Sequence, residues 1–277
     1  MSAPVGRLDA ELWGVDFTSA PTVRKPIVLA RGRLLGKVVR LSGLSMLPTM
    51  AEFETLLQTP GPWCAGLDLP FGLPRAFVES QQLGQDSAAV MASVLQRCPR
   101  RMDFRAFVDA WGNTQPAGQR LLHRRTDAAL PGVQSTSPMQ TRYVPVGFMY
   151  FEGYSRLLKA GVDVPRLVAG DPQRVALEAY PGFLAFELLG RRGYKNDDSG
   201  ERLLARKDLL EALEQGRTRL GLRLKLTPAQ AGAVVADSSG DRLDAVMCLM
   251  QAAWSLTQPD HGLPQDVDAV EGWILSA

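Results

Sequence analysis

Apolar and polar residues follow several rhythms along this chain, and the changes of rhythm mark its elements. Short apolar runs with strand character fall at residues 12–17 (LWGVDF), 26–31 (PIVLAR) and 37–41 (KVVRL). Their close spacing, with Gly32 and Gly36 between the last two, predicts an antiparallel meander of three strands. Residues 48–58 (PTMAEFETLLQ) carry apolar side chains at helical spacing, with Pro48 suited to a first turn. Residues 63–69 (WCAGLDL) form a nearly continuous apolar run closed by Pro70, the pattern of a central strand covered on both faces. Beyond residue 73, helical stretches at 87–97 and 102–111 alternate with Gly, Pro and polar loops, and 112–146 has little periodicity. This stretch, about 75–173, reads as a partly mobile insertion on a core that resumes with a buried strand at 174–179 (RVALEA). Helical spacing returns at 182–189, 202–213 and 228–236, and a long helix with a strong apolar face is predicted over 239–255. The closing EGWIL is expected to add a small strand. The whole is an α/β pattern without internal repeats, read as one domain over 1–277.

Against this pattern, a few acids stand where apolar residues belong. Asp16 interrupts LWGVDF, Asp68 interrupts WCAGLDLP and Glu178 interrupts VALEAYP. A buried carboxylate must be paired, hydrogen-bonded or bound to a metal, since an isolated one costs on the order of several kcal/mol. The three strands supply no Lys or Arg except Arg174 at one edge, so a divalent cation is a reasonable partner. Gly14 and Gly66 each precede an acid by two residues. Alternation across a strand puts glycine and acid on the same face. The glycines either open space beside the carboxylate for a hydrated cation or phosphate, or admit a closely packed helix. At the start of the last long helix, Asp241 and Asp244 share a face at a spacing of three. Asp241 suits a helix start after Ser238, Ser239 and Gly240. Asp244 lies deeper, where capping explains it less well. Hard cations such as Mg²⁺ take oxygen ligands, typically a few carboxylates with water and substrate phosphates.

Composition removes several function classes. Of 277 residues, 45% are hydrophobic and 22% charged, which fits a folded chain and argues against wholesale disorder. Lys and Arg number 31 against 29 Asp and Glu, a net +2 that is too small for a broad surface gripping long duplex DNA. Cys64, Cys98 and Cys248 form no CxxC pair, and an odd count suits reduced thiols in a cytoplasmic protein. His123 and His261 have no ligand-spaced Cys or His, so a zinc site is unsupported. The amino-terminal stretch MSAPVGRLDAELWG lacks the apolar core of a signal peptide, and no segment reaches the ~20 apolar residues of a membrane span.

The strings GVDFTSAP, GLDLPFGLPR, ALEAYPG and GDRLDAVMCLMQAAW occur in that order. Together they resemble an uncharacterised family of predicted nucleases with the ribonuclease H-like fold, over about residues 11–75 and 174–256. The resemblance implies a mixed central sheet, its first three strands antiparallel, flanked by helices. It implies that Asp16, Asp68, Glu178 and Asp244 are the catalytic acids and bind Mg²⁺ or Mn²⁺, with Asp241 auxiliary. One departure from ribonuclease H itself is that the second acid lies on a strand, not a helix. Lys195, Arg124 and Arg125 are candidates to steady a substrate phosphate. The expected activity is hydrolysis of phosphodiester bonds in a short, single-stranded or structured nucleic acid. The alternatives are a phosphotransferase related to sugar kinases and actin, or a non-catalytic nucleic-acid-binding protein that keeps the fold.

Overall fold

The computed structural model describes residues 9–277. Most of the amino-terminal stretch considered for a targeting signal lies outside them. Strand β1 (Glu11–Asp16) pairs antiparallel with β2 (Ile27–Leu35), and β2 with β3 (Val38–Leu47). The β2–β3 turn has two central residues, and its first, Gly36, takes φ 61°, a conformation open to glycine at little cost. Helix α1 (Met50–Leu57) follows, capped by Thr49, whose hydroxyl accepts from the Glu52 N–H while the Glu52 carboxylate accepts from Thr49 N–H. Pro48 therefore lies before the cap and not in the first turn. Strand β4 (Trp63–Asp68) then returns parallel to β1 on its free side.

The next hundred residues hold α2 (Arg75–Ser80), α3 (Ser87–Arg97), α4 (Arg101–Asn113), a 3₁₀ turn (Arg125–Ala128), α5 (Val146–Met149), a π-turn (Tyr150–Tyr154), α6 (Ser155–Ala160) and the short β5 (Val162–Asp163). Strand β6 (Asp171–Glu178) pairs parallel with β4. Helices α7 (Pro181–Leu189) and α8 (Gly200–Gln215), strand β7 (Arg223–Lys225), α9 (Pro228–Ala236) and α10 (Asp241–Ser255) complete the order. The result is a seven-stranded mixed sheet, β5-β6-β4-β1-β2-β3-β7, flanked by helices. No helix among the described residues is long and apolar enough to cross a membrane.

Strand parity divides the core into two. Trp13, Val15 and Phe17 of the β1 run, with Ala65, Leu67 and Leu69 of the β4 run, face one apolar layer containing Phe77, Val90, Phe104 and Tyr154. Leu12, Cys64, Val175 and Leu177 face the other, with Leu209, Val246, Leu249 and Met250. The segment read as an insertion therefore supplies, together with α1, most of the layer that buries this face of the sheet. Its helical spacing was visible in sequence; its partner surface was not, because that surface lies on strands before and after it. The expected strand in EGWIL does not form: Gly272 turns to φ 72°, and residues 271–275 run as turn and coil, tied by Leu275 N–H to Glu178 O at 2.8 Å. Strands β5 and β7, two and three residues long, carry too little pattern to stand out in sequence.

Helix α10 lies directly on β1 and β4. A β-carbon added at Gly14 would stand 2.0 Å from Ala245 O and 2.2 Å from Leu249 N; one added at Gly66 would stand 2.5 Å from Cys248 O. These are main-chain atoms of the helix, which cannot swing aside as a side-chain tip can. Gly14→Val is therefore expected to lower the free energy of unfolding by about 3 kcal/mol or more. Gly43→Ala, where an added carbon meets nothing within 4 Å, is expected to change it by less than about 0.5 kcal/mol. Urea unfolding of the two variants beside the wild type checks both; wild-type stability in Gly14→Val would contradict this packing.

Candidate metal centre at the strand ends

Asp16 and Asp68 are paired partners at the carboxyl ends of β1 and β4, just as Gly14 pairs with Gly66 two residues earlier. Both acids share the glycines' face, the one covered by α10. Helix α10 brings in Asp244 from its first turn, fully buried. One carboxylate oxygen from each of Asp16, Asp68 and Asp244 lies within 4.8 Å of the other two. The glycines thus admit the helix that carries the third acid. The space beside each glycine is filled by helix backbone, so it is the close-packing alternative that holds there.

Lys195 and Tyr194, in the loop between α7 and α8, close the cluster. The Lys195 ammonium is ion-paired with Asp244 Oδ2, and the Tyr194 hydroxyl donates to Asp244 Oδ1 at 2.5 Å. The loop is anchored from below by buried Arg206, which donates to Tyr194 O at 2.9 Å and Asp197 O at 3.3 Å. It also packs on Gly240, where a β-carbon would come within 2.9 Å of Lys195 Cγ. Gly240 is the N-cap of α10 at φ 83°. The side-chain cap comes from Asp237, which accepts from Arg242 N–H at 2.9 Å and Ser239 Oγ at 2.7 Å. Asp241 therefore does not cap the helix. It is half-buried outside the three-carboxylate cluster, and its charge acts on Asp16 and Asp244 through space.

The electrostatics are those of acids held together against their preference. Burial, then Asp244 and Asp68 alongside, lifts the Asp16 carboxyl well above the usual carboxylate range, with Lys195 opposing. Burial pushes Asp68 up to about 7, again against Lys195 and with help from Asp244 and Glu178. Asp244 is raised by burial while Lys195 and Tyr194 pull it down. Burial alone would depress Lys195, but the three carboxylates outweigh it and hold the ammonium charged. Once all three carboxylates are ionised, one ammonium leaves two negative charges unbalanced. A hard divalent cation fits that donor set in charge and in ligand type.

Glu178 is brought near but turned away. It shares the face of Ala176, opposite to Val175 and Leu177, and so points into the other layer. There it accepts from Phe71 N–H at 2.9 Å and forms a two-pronged pair with Arg124, at 2.6 and 2.9 Å. Arg124 is buried, and its remaining N–H groups go to Asp127 and to Glu271 O. All five guanidinium hydrogens are thus engaged inside the protein, which corrects the expectation that Arg124 steadies a phosphate. Arg125 sits on Asp266 at 2.6 Å and over the Trp273 ring at 5.5 Å from its centroid. Lys195 alone of the three basic candidates reaches the acids. Tyr194, Arg206 and Asp237 carry the site without having stood out in sequence; only the DSSGD string before α10 held a capping signal for Asp237.

No protein-family model, no curated protein and no solved structure matches this chain.

Two outcomes follow from the geometry. Arg124→Ala strands Glu178 and Asp127 as buried, unpaired carboxylates and is expected to cost about 3–5 kcal/mol of stability, measured by urea unfolding; a loss below about 1 kcal/mol would contradict the network. Asp68 binds its proton more tightly folded than unfolded. Its contribution to stability is therefore full below about pH 4 and declines as pH rises from about 4 to about 7. Asp68→Asn is expected to raise the melting temperature of metal-free protein at pH 8 and to leave it nearly unchanged at pH 4. Mn²⁺ competes with those protons and should raise the melting temperature more at pH 8 than at pH 5. Calorimetry at the three pH values decides both.

Proposed function

We propose that this chain is a metal-dependent phosphodiesterase of ribonuclease H-like architecture, hydrolysing nucleic-acid phosphodiester bonds with Mg²⁺ or Mn²⁺ held by Asp16, Asp68 and Asp244. The observation that carries the reading is the convergence of these three carboxylates within 4.8 Å from two adjacent parallel strands and one late helix. It is supported by the antiparallel meander β1–β3, with β4 and then β6 added parallel beside β1, and by an acid at the end of the central strand. A bound divalent cation supplies Lewis acidity toward the phosphoryl group and acidifies water for attack.

The chain's own groups prepare that chemistry. Tyr194 fixes the orientation of the Asp244 carboxylate by donating to one oxygen, leaving the other to a cation or to Lys195. Lys195 keeps a positive charge beside the carboxylates, where an incoming phosphate would meet like-charged groups. Asp244 is fully buried with Cys248 one turn further along the same helix, whereas Asp16, Asp68 and Lys195 are partly exposed and form the open side of the cluster. Glu178 acts at one remove, holding the Phe71 N–H in the turn that follows Asp68. The small net charge suits a short, single-stranded or structured substrate that docks locally. The three cysteines are buried and form no disulfide, which suits the reducing cytoplasm. The described residues build one sheet, which gives the two-halved phosphotransferase alternative less to stand on.

The test is cleavage of end-labelled RNA, DNA and hybrid oligonucleotides with Mg²⁺, Mn²⁺ or EDTA. Cleavage is expected only with metal, and Asp16→Asn, Asp68→Asn and Asp244→Asn are each expected to lower it by about a hundredfold or more. Metal-dependent cleavage that survives Asp16→Asn and Asp68→Asn together would overturn the site.

A further inference from the structure

Two cavities meet at Asp68, Tyr180 and Lys195, and their walls differ in net charge. The first, about 340 Å³, runs along the loop between α7 and α8; Ala185 and Phe186 give it an apolar wall, and Arg191, Arg192, Arg202 and Lys195 line the rest. Asp68 is its only carboxylate. Arg192 is paired with Asp208 and Arg202 with Asp197, but Arg191 is exposed and has no partner among the described residues. This is a cationic channel that ends at the acids.

The second cavity, about 230 Å³, opens on the other side of Asp68. Its apolar walls are Leu69, Val144, Val146, Met149 and Ile274, and the exposed Thr136, unpartnered among the described residues, also lines it. Arg124 and Glu178 also border it, but they neutralise each other, so the one other cation it offers is Lys195 at the junction, itself paired with Asp244. The cavity is smaller than the ~300–1,000 Å³ of drug-sized ligand sites and suits one flat ring. Val144 stands at its mouth, 57% exposed, and the neighbouring Tyr143 is 98% exposed at φ 53°, a costly conformation for an aromatic residue.

We propose that these cavities are two subsites for one single-stranded substrate: the charge-balanced cavity takes one unstacked nucleobase, and the cationic channel takes the adjoining sugar–phosphate backbone, so that the phosphate between them lies at Asp68. The inference rests on the phosphodiesterase reading and adds its substrate class. A base held in duplex is stacked on both sides and cannot enter a pocket of this size. The charge of the walls sets the direction: cations outnumber the one carboxylate in the first cavity, where the unpaired Arg191 favours phosphate, whereas they balance in the second, which leaves its apolar side chains to a ring. Bases of any identity have an apolar face, so the pocket selects for an unpaired base more than for a sequence. Thr136 is the group placed to read a base edge.

The experiment uses the full chain with Mn²⁺ and three end-labelled substrates: a decathymidylate, the same strand with one central abasic residue, and its duplex with decaadenylate. Cutting at the phosphate beside the abasic residue is expected to fall by about tenfold or more relative to the same phosphate in the intact strand, and the duplex to be cut more slowly than the single strand. Val144→Trp, an exposed position that tolerates a larger ring, is expected to close the mouth and bring the intact-to-abasic ratio towards one. Arg191→Glu is expected to slow cutting of both strands and to flatten its salt dependence. If intact and abasic strands are cut equally, or duplex as fast as single strand, the subsites are overturned while the metal site stands. If none of the three is cut with Mn²⁺ or Mg²⁺, the phosphodiesterase reading falls and the subsites fall with it.

Discussion

The close approach of α10 to β1 and β4 governs the rest of this molecule. Two glycines, aligned across the parallel pair, leave no side chain at the two points of β1 and β4 where the helix backbone comes closest. The helix backbone then sits deep enough that its first turn reaches the strand ends. Asp244 meets Asp16 and Asp68 only because of this depth, since a methyl group at either glycine would press on main-chain atoms and lift the helix. The cost is electrostatic. Two like charges at about 4.8 Å repel by on the order of 3 kcal/mol at an effective dielectric of about 20. Apolar packing of α10 against both halves of its layer, with Val246, Leu249 and Met250 fully buried, is what holds the acids in place against that repulsion.

The two faces of the sheet then do different electrical work. On the α10 face, acids outnumber their one ammonium, and the imbalance makes the site receptive to a cation. On the opposite face, Glu178, Arg124 and Asp127 form a buried network that is satisfied atom by atom, with Ser135 and the Phe71 N–H included. That network joins β6, the irregular stretch around the 3₁₀ turn and the carboxyl-terminal segment, through Arg124 to Glu271 O and Thr126 Oγ1 to Ile274 N–H. It also fixes the turn after Asp68. The π-turn contributes from the same side: a β-carbon at Gly153 would come within 2.7 Å of Leu69 and 3.0 Å of Phe17, the residues that follow Asp68 and Asp16. The acids are thus clamped by a helix on one face and by packing directly behind them on the other.

Much of this was legible because strand and helix rhythms are local. The meander, the central run at 63–69, the strand at 174–179 and the long last helix all follow from periodicity within their own segments. Asp16, Asp68 and Asp244 stood out because an acid in an apolar run is costly wherever the run folds. What was not legible depends on phase between distant segments. Glu178 interrupts an apolar strand as Asp68 does, yet whether it shares a face with Asp68 turns on the parity of β6 against β4, and no glycine marked that parity in VALEAYP. The role of Arg124 was hidden for the same reason, since two of its three partners, Glu178 and Glu271, lie 54 and 147 residues away. Lys195 was visible as a cation near the site, but not as the counter-charge to Asp244, because nothing in its loop predicts which helix end the loop packs on.

The Gly-x-Asp strings show how a packing device and a chemical one become inseparable. Taken singly, glycine beside an acid has two explanations, and the helix-packing one describes where the space goes. But a helix admitted at that depth carries its own acid to the two on the strands, so the packing explanation produces the charge cluster that the chemical explanation requires. Substituting the glycines would remove the site without touching a carboxylate, and removing the carboxylates would relieve a repulsion that the packing sustains. The same chain is then expected to be more stable without its acids and useful only with them. That is the relation between strain and function expected where binding energy, on the proposed reading that of a cation, completes a site.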